Sequence, residues 1–258
     1  VGSEMCIRDR SSLVLRDPPH RFPAALPRIP AIPDVMRSAP APRRESATPT
    51  SLDHVNDMLV WIDCEMTGLD LAHDGLIEVA ALVTDGQLNV LGEGVDVVIK
   101  PEPQWLEHMN DFVRGMHTHS GLLDELDSGA TMADAQQQVM DYITSHVKEP
   151  RKAPLAGNTI GTDRSFLAKD MSELEAYVHY RNVDVSSIKE LARRWYPTAF
   201  KHTPAKQGNH RALADIQESI EELMFWREAV MVAAPGPDSQ QCKEIAAKYQ
   251  GLLTGAGH

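Results

Sequence analysis

The chain has 258 residues, of which 42% are hydrophobic, enough for one sizeable buried core in one or two domains. Its three cysteines, Cys6, Cys64 and Cys242, are too few and too scattered for a disulfide framework or a thiolate zinc site, and no run of about eighteen apolar residues is present to cross a membrane. With 25 Lys and Arg against 37 Asp and Glu, the formal charge of −12 excludes a broad basic track for long nucleic acid, but leaves room for a short polyanion held by a few groups.

The charge is uneven along the chain. Residues 1–50 hold eight Arg, no Lys and five acids, so the remaining 208 residues carry −15. Nine of the seventeen prolines also fall in this first segment, with no sustained apolar period, so residues 1–57 are expected to form a mobile extension without a core of its own. Its opening ten residues, VGSEMCIRDR, resemble translated sequencing-adapter sequence and are expected to be foreign to the natural chain. The Arg-rich, Lys-free make-up is a cue for an organellar transit peptide, against which the prolines and acids count. Both a mitochondrial and a cytoplasmic location therefore stay open, each of them reducing.

Order is expected from Met58. Apolar runs at 59–64, 76–84 and 95–100, punctuated by glycines at 68, 75, 86, 92 and 94, predict a three-stranded antiparallel meander. From Thr131 the period changes to Ala135, Val139, Tyr142, Ile143 and Val147, with Thr131 as N-cap and Asp134 three residues on, which predicts an amphipathic helix. A short strand at 153–157 follows, then a helix opened by Asp163, a strand at 182–186, a helix from Ser187 to Trp195, a loop at 197–208 and a long helix at about 209–232. Strands alternating with helices predict parallel crossovers, so residues 58–232 read as one α/β domain. Residues 233–258 read as a tail with one short helix near Cys242–Leu253.

Three places carry chemistry. In the first strand, Asp63 and Glu65 are two residues apart and share a face, while Cys64 faces the other way. Two carboxylates so placed repel unless exposed, protonated or neutralised by a cation, and hard oxygen ligands suit Mg²⁺ or Mn²⁺. An Asp-x-Glu also arises by chance in an acidic chain. Asp163 ends a small-residue loop, GNTIGTD, where it serves equally well as a helix N-cap worth about 1 kcal/mol. His210 and Asp215 lie five residues apart at the start of the last long helix, about 140° apart around its axis at ~100° per residue. They can converge on a cleft from its edge, or remain a surface histidine and a salt-bridge partner of Arg211.

In this order, the strings WIDCEMTGLD, LAGNTIGTDRSFL, HYRNVDVSSIKELARRWYP and NHRALADIQESIEEL resemble the oligoribonuclease family of DEDDh-type 3′→5′ exonucleases over about residues 58–232. The resemblance implies an RNase H-like fold, a mixed five-stranded sheet flanked by helices, in a homodimer. It implies that Asp63, Glu65, Asp163 and Asp215 hold two Mg²⁺ or Mn²⁺ ions and that His210 is the general base, with Tyr180 completing the catalytic set. It implies a short single-stranded RNA substrate cut to nucleoside 5′-monophosphates, with contacts from Leu69, Phe112, His117, Thr159, Arg181 and Ser186. Phe112 stands where the family usually has Trp, which leaves a smaller stacking ring. In this family the tyrosine and arginine matching Tyr180 and Arg181 reach across from the partner subunit. Two rival expectations are a DEDDh exonuclease that trims or proofreads DNA, and a catalytically inactive RNase H-like binding module.

Overall fold

Strand β1 (Leu59–Met66) sends its alternate side chains into two different cores. Val60, Ile62, Cys64 and Met66 enter one, and Trp61 enters the other, where its indole N–H donates to Thr84 Oγ1 at 3.0 Å. Both faces of the sheet are therefore covered, which is why β2 (Leu76–Thr84) is buried along its whole length. The computed structural model describes residues 57–206 and 210–251. Apart from Asp57, the expected N-terminal extension lies outside the described residues, as do Gly208 and the last seven residues.

The sheet has the order β3-β2-β1-β4-β5, with β3 spanning Val90–Val98, β4 Pro154–Gly157 and β5 His179–Asp184. Pairings β1·β2 and β2·β3 are antiparallel, and β1·β4 and β4·β5 are parallel. This is the expected meander followed by crossovers, and the five-stranded mixed sheet is the expected fold class. β3 starts five residues earlier than its apolar run. Gly92 and Gly94 sit inside it at φ +76° and +84°, and a Cβ on Gly94 would lie 2.6 Å from Leu82 Cδ2. The strand crosses too close to β2 there for a side chain, so apolar patterning could not mark it.

Helix α1 (Pro103–His108), α2 (Asp111–His119), α3 (Leu122–Glu125) and a 3₁₀ turn at Leu126–Ser128 follow β3. None was expected, because they are short and mostly polar, with only Val113 and His117 buried on α2. Helix α4 (Met132–His146) starts as expected, Thr131 Oγ1 accepting from the Asp134 N–H. It buries Ala135, Val139 and Ile143, the last two worth about 1.5–3 kcal/mol each. α5 (Ile160–Asp170) and α6 (Ser172–Tyr177) lie on the same core, with Phe166, Leu167 and Leu174 buried in it.

The opposite face takes α7 (Val185–Trp195) and α9 (Ala212–Ala229), the latter burying Ala212, Ile216, Ile220, Leu223 and Trp226. The stretch expected as a loop at 197–208 contains a short helix, α8 (Pro197–Lys201), with proline at the first helical position where its missing N–H costs nothing. The tail helix α10 (Ser239–Tyr249) starts at Ser239 because Asp238 and Gln241 form a capping box, and it buries nothing.

Candidate active site

The carboxyl end of β1 is where the chemistry collects. Asp63 and Glu65 are 2% and 5% exposed, on the face shared with Trp61, while the Cys64 side chain lies in the opposite core. The β1·β4 ladder runs only through Val60↔Leu155 and Trp61↔Ala156, so the Cys64 N–H lies beyond it. Asp163 supplies the missing acceptor, its Oδ1 taking that N–H at 3.1 Å. Asp163 is not the N-cap that the loop reading allowed. Thr159 takes left-handed backbone at φ +55° and starts α5 at Ile160, so Asp163 falls at the fourth helical position, facing β1.

His210 and Asp215 come to the same place by different routes. The expectation that both ride one helix is corrected: α9 starts at Ala212, Arg211 is extended at φ −124°, and His210 precedes it in left-handed backbone at φ +50°. The angular argument for a common helix therefore does not apply. One donor atom each from Glu65, His210 and Asp215 nevertheless lie within 4.8 Å of one another.

The start of α9 is held by groups that the motif reading missed. Glu78, fully buried and paired with Glu65 across β1·β2, accepts the Ala212 N–H at 3.1 Å and the Arg211 Nε–H at 2.7 Å. Arg211 also donates from both terminal nitrogens to Glu125, at 2.9 and 3.1 Å. It therefore does not pair with Asp215, whose N–H instead donates to the Arg211 carbonyl. Burial alone would lower the Arg211 pKa, but the hydrogen bonds and charges of Glu125 and Glu78 outweigh it and raise it. Burial, followed by the charge of Asp96, pushes Glu78 up to about 7. A lone acid in the otherwise apolar LIEVAALVT was the available signal, since a buried carboxylate requires partners. Further along α9, buried Glu222 accepts from Trp226 Nε1 at 3.1 Å and pairs with Lys206 at 3.3 Å, fixing the chain just ahead of residues 207–209.

His117, expected among the substrate contacts, lies beside Glu65 at the border of the site. The ring is fully buried, its Nε2 2.9 Å from the Met66 carbonyl and its Nδ1 4.0 Å from Glu65 Oε2. Burial lowers its pKa against the Met66 hydrogen bond, so a neutral ring donates from Nε2 and stands behind Glu65. Leu69 and Phe112 are open, at 42% and 53% exposed. Tyr180 is 73% exposed on the edge strand β5, with the Arg181 guanidinium 5.5 Å from its ring centroid. Ser186 lies in the first turn of α7, where its Oγ donates to Asp184 Oδ1 at 2.6 Å and accepts the Thr159 N–H at 3.1 Å.

The donor set fits a hard divalent cation. Carboxylate oxygens dominate it, and the side chains of Asp63, Glu65 and Asp163 are shut from water, an arrangement that favours a neutralising cation. The Cys64 thiol registers the same field: burial first, then Asp163, Asp63, Glu65 and Asp170, hold it well above its ordinary range.

Residues 60–223 match the RNase_T family, described as exonuclease. An oligoribonuclease of Cutibacterium acnes is 82% identical over 200 residues, covering 78% of this chain and 99% of that protein. One from Streptomyces griseus is 69% identical over 194 residues, covering 75% of this chain and 96% of its own. Among solved structures, E. coli exonuclease I in complex with a dA16 oligonucleotide superposes with a TM-score of 0.54 at 17% identity, over 67% of this chain and 41% of that one. This chain thus spans about two fifths of that exonuclease's length, and the likeness is one of fold.

Proposed function

The chain belongs to the oligoribonuclease family of exonucleases, and from that premise we propose how its residues remove nucleotides from the 3′ end of short RNA as 5′-monophosphates. The observation that carries the proposal is the convergence of Glu65, His210 and Asp215 donor atoms within 4.8 Å at the end of β1, beside buried Asp63 and Asp163. Asp63, Glu65, Asp163 and Asp215 are the residues to hold two divalent ions, Mg²⁺ or Mn²⁺, which when bound acidify the attacking water and offset charge on the leaving 3′-oxygen.

The rest is done by the chain itself. His210, half-buried at the rim, takes the water's proton and passes it to solvent, a task suited to an imidazole, whose ring nitrogen can both accept and release a proton. Its unusual backbone aims the ring from outside the helix, so it does not compete with Asp215 for one helical face. His117 keeps Glu65 and the Met66 carbonyl in place from behind. Leu69 and Phe112, both open to solvent, meet the bases. Thr159, Arg181 and Ser186 receive the 5′-phosphate, and Tyr180 completes the catalytic set. Two or three phosphates need only a few charge-assisted hydrogen bonds, which reconciles RNA with a net charge of −12.

Tyr180 and Arg181 act from the second protomer of a homodimer. Exposed Tyr180, Leu191, Trp195 and Tyr196, all on or next to β5 and α7, supply the apolar surface that such an interface needs. Residues 58–232 are the catalytic body. No helix among the described residues is long and apolar enough to cross a membrane, and the bacterial relatives favour a cytoplasmic over a mitochondrial location.

The test is digestion of a 5′-labelled RNA series from two to about twenty nucleotides, with Mg²⁺, with EDTA and beside a DNA dinucleotide, the range being set by the few-phosphate argument. Metal-dependent loss that fades with length is expected. Length-independent or DNA-preferring digestion would move the protein to another exonuclease role, and no digestion would leave a binding module.

A further inference from the structure

The loop between β1 and β2 carries Asp70, His73 and Asp74, and α1 ends in His108; neither histidine enters the catalytic reading. The fold brings them together across 34 residues of sequence. The His73 and His108 rings stack with centroids 5.1 Å apart and planes 26° from parallel, and one donor atom each from Asp70, His73 and His108 lie within 4.8 Å of one another.

One ring is already oriented by a carboxylate outside the trio, and the other lies against the carboxylate within it. His73 Nδ1 is 2.9 Å from Asp70 Oδ2, and His108 Nδ1 is 3.1 Å from Asp74 Oδ1. Imidazoles that bind metals are commonly fixed as His108 is, the carboxylate holding the proton on Nδ1 and leaving the Nε2 lone pair for the ion, whereas Asp70 Oδ2 and His73 Nδ1 are close enough to grip one ion together once that nitrogen is unprotonated. Asp74 is itself rigid. It is buried, and its carboxylate also accepts from Thr67 Oγ1 at 3.1 Å and the Asp70 N–H at 2.9 Å. The other three side chains are open, His73 at 62%, Asp70 at 53% and His108 at 48%, so solvent can fill the remaining coordination positions.

We propose that Asp70, His73 and His108 form a second cation site, distinct from the carboxylate centre, that takes a borderline divalent transition ion such as Zn²⁺, Co²⁺ or Ni²⁺. Two imidazoles and one carboxylate select these ions over Mg²⁺, which prefers oxygen ligands. The ion fastens α1 to the loop bearing Leu69. Through Asp74 and Thr67 the same tie reaches the end of β1. The site rests on this geometry and not on the substrate reading.

Calorimetric titration of Zn²⁺ into the full chain in excess Mg²⁺ tests it, alongside H73A, H108A, D74N and, to disable the carboxylate centre, D163N. The wild type and D163N should each take up one equivalent of Zn²⁺ that H73A and H108A do not, while D74N keeps it at an affinity lowered about 10–100-fold. Unchanged melting of the metal-free histidine variants would show that the fold is intact, as the exposure of both rings leads one to expect. Equal uptake by the wild type and both histidine variants would place the ion elsewhere and overturn the proposal, as would uptake lost only in D163N, or no uptake at all.

Discussion

Asp163 does two jobs with two oxygens, and substitutions can separate them. Oδ1 replaces the strand carbonyl that the Cys64 N–H lacks, a bond worth about 1 kcal/mol, and in the proposed function the charge serves the cation centre. Asp163→Asn keeps an acceptor and loses the charge, so its melting temperature should stay at or above that of the wild type in EDTA while turnover of a dinucleotide drops by orders of magnitude. Asp163→Ala loses both, and should melt slightly below Asp163→Asn at equally low turnover; thermal melts beside a hydrolysis assay check the pair. Near-normal turnover in Asp163→Asn would remove this carboxylate from the centre. Cys64 offers a second test, because burial and the nearby carboxylates suppress its thiolate. In a Cys6→Ser background, a thiol reagent at neutral pH should titrate Cys242 quickly and Cys64 only after denaturant is added, as absorbance of the released chromophore would show. Strand alternation made the shared face of Asp63 and Glu65 legible in the sequence. The position of His210 was not, because a non-glycine residue at φ +50° leaves no compositional trace.

Helix α9 begins without a side-chain cap of its own, and Glu78 from β2 takes over that role. Because Glu78 also holds Arg211, the residue between His210 and Ala212, it sets where the histidine and Asp215 stand relative to β1. Glu78→Gln keeps the shape but turns an N–H donor toward the guanidinium. Losing such a charge-assisted bond costs about 1–3 kcal/mol, so kcat for a dinucleotide should fall roughly ten- to hundredfold. KM should change little, since Leu69 and Phe112, the groups proposed to meet the bases, lie elsewhere; a large KM rise at constant kcat would contradict this role. The same carboxyl gives a pH signature. Its folded value of about 7 lies above the unfolded one, so the stability it lends the protonated fold is full below about 4.5 and is lost as pH rises through 7. Melting in EDTA should show the wild type losing ground to Glu78→Gln across that window and level with pH above it. Elements with strong periods, such as β2 and α4, were legible to the residue. The helices from Pro103 to Glu125 were not, because a polar surface carrying one or two buried side chains has no period to read.

At the scale of the whole molecule, a chain of charge −12 must bind an anion, and one protomer places its exposed Tyr180 and Arg181 on the outermost strand, two strands from β1. A second copy resolves this if its β5 edge faces the first copy's site, each protomer supplying carboxylates to one site and an arginine to the other. Such an arrangement is invisible to sequence patterning, because an exposed aromatic such as Trp195, 66% exposed, reads in sequence as an ordinary apolar position on a helix. The reciprocal arrangement has a consequence that no single-chain site shares. Asp163→Asn protein and Arg181→Ala protein should each hydrolyse dinucleotides poorly. Once they have been unfolded together and refolded as a mixture, half of the dimers should be hybrids. In every hybrid one site joins the intact carboxylates of the Arg181→Ala protomer to the intact arginine of the Asp163→Asn protomer, and the other site carries both defects. Activity should recover to about a quarter of the wild-type value, the fraction of sites left whole by random pairing. If Arg181 served its own protomer's site, every site in the mixture would keep one defect, and mixing would restore nothing.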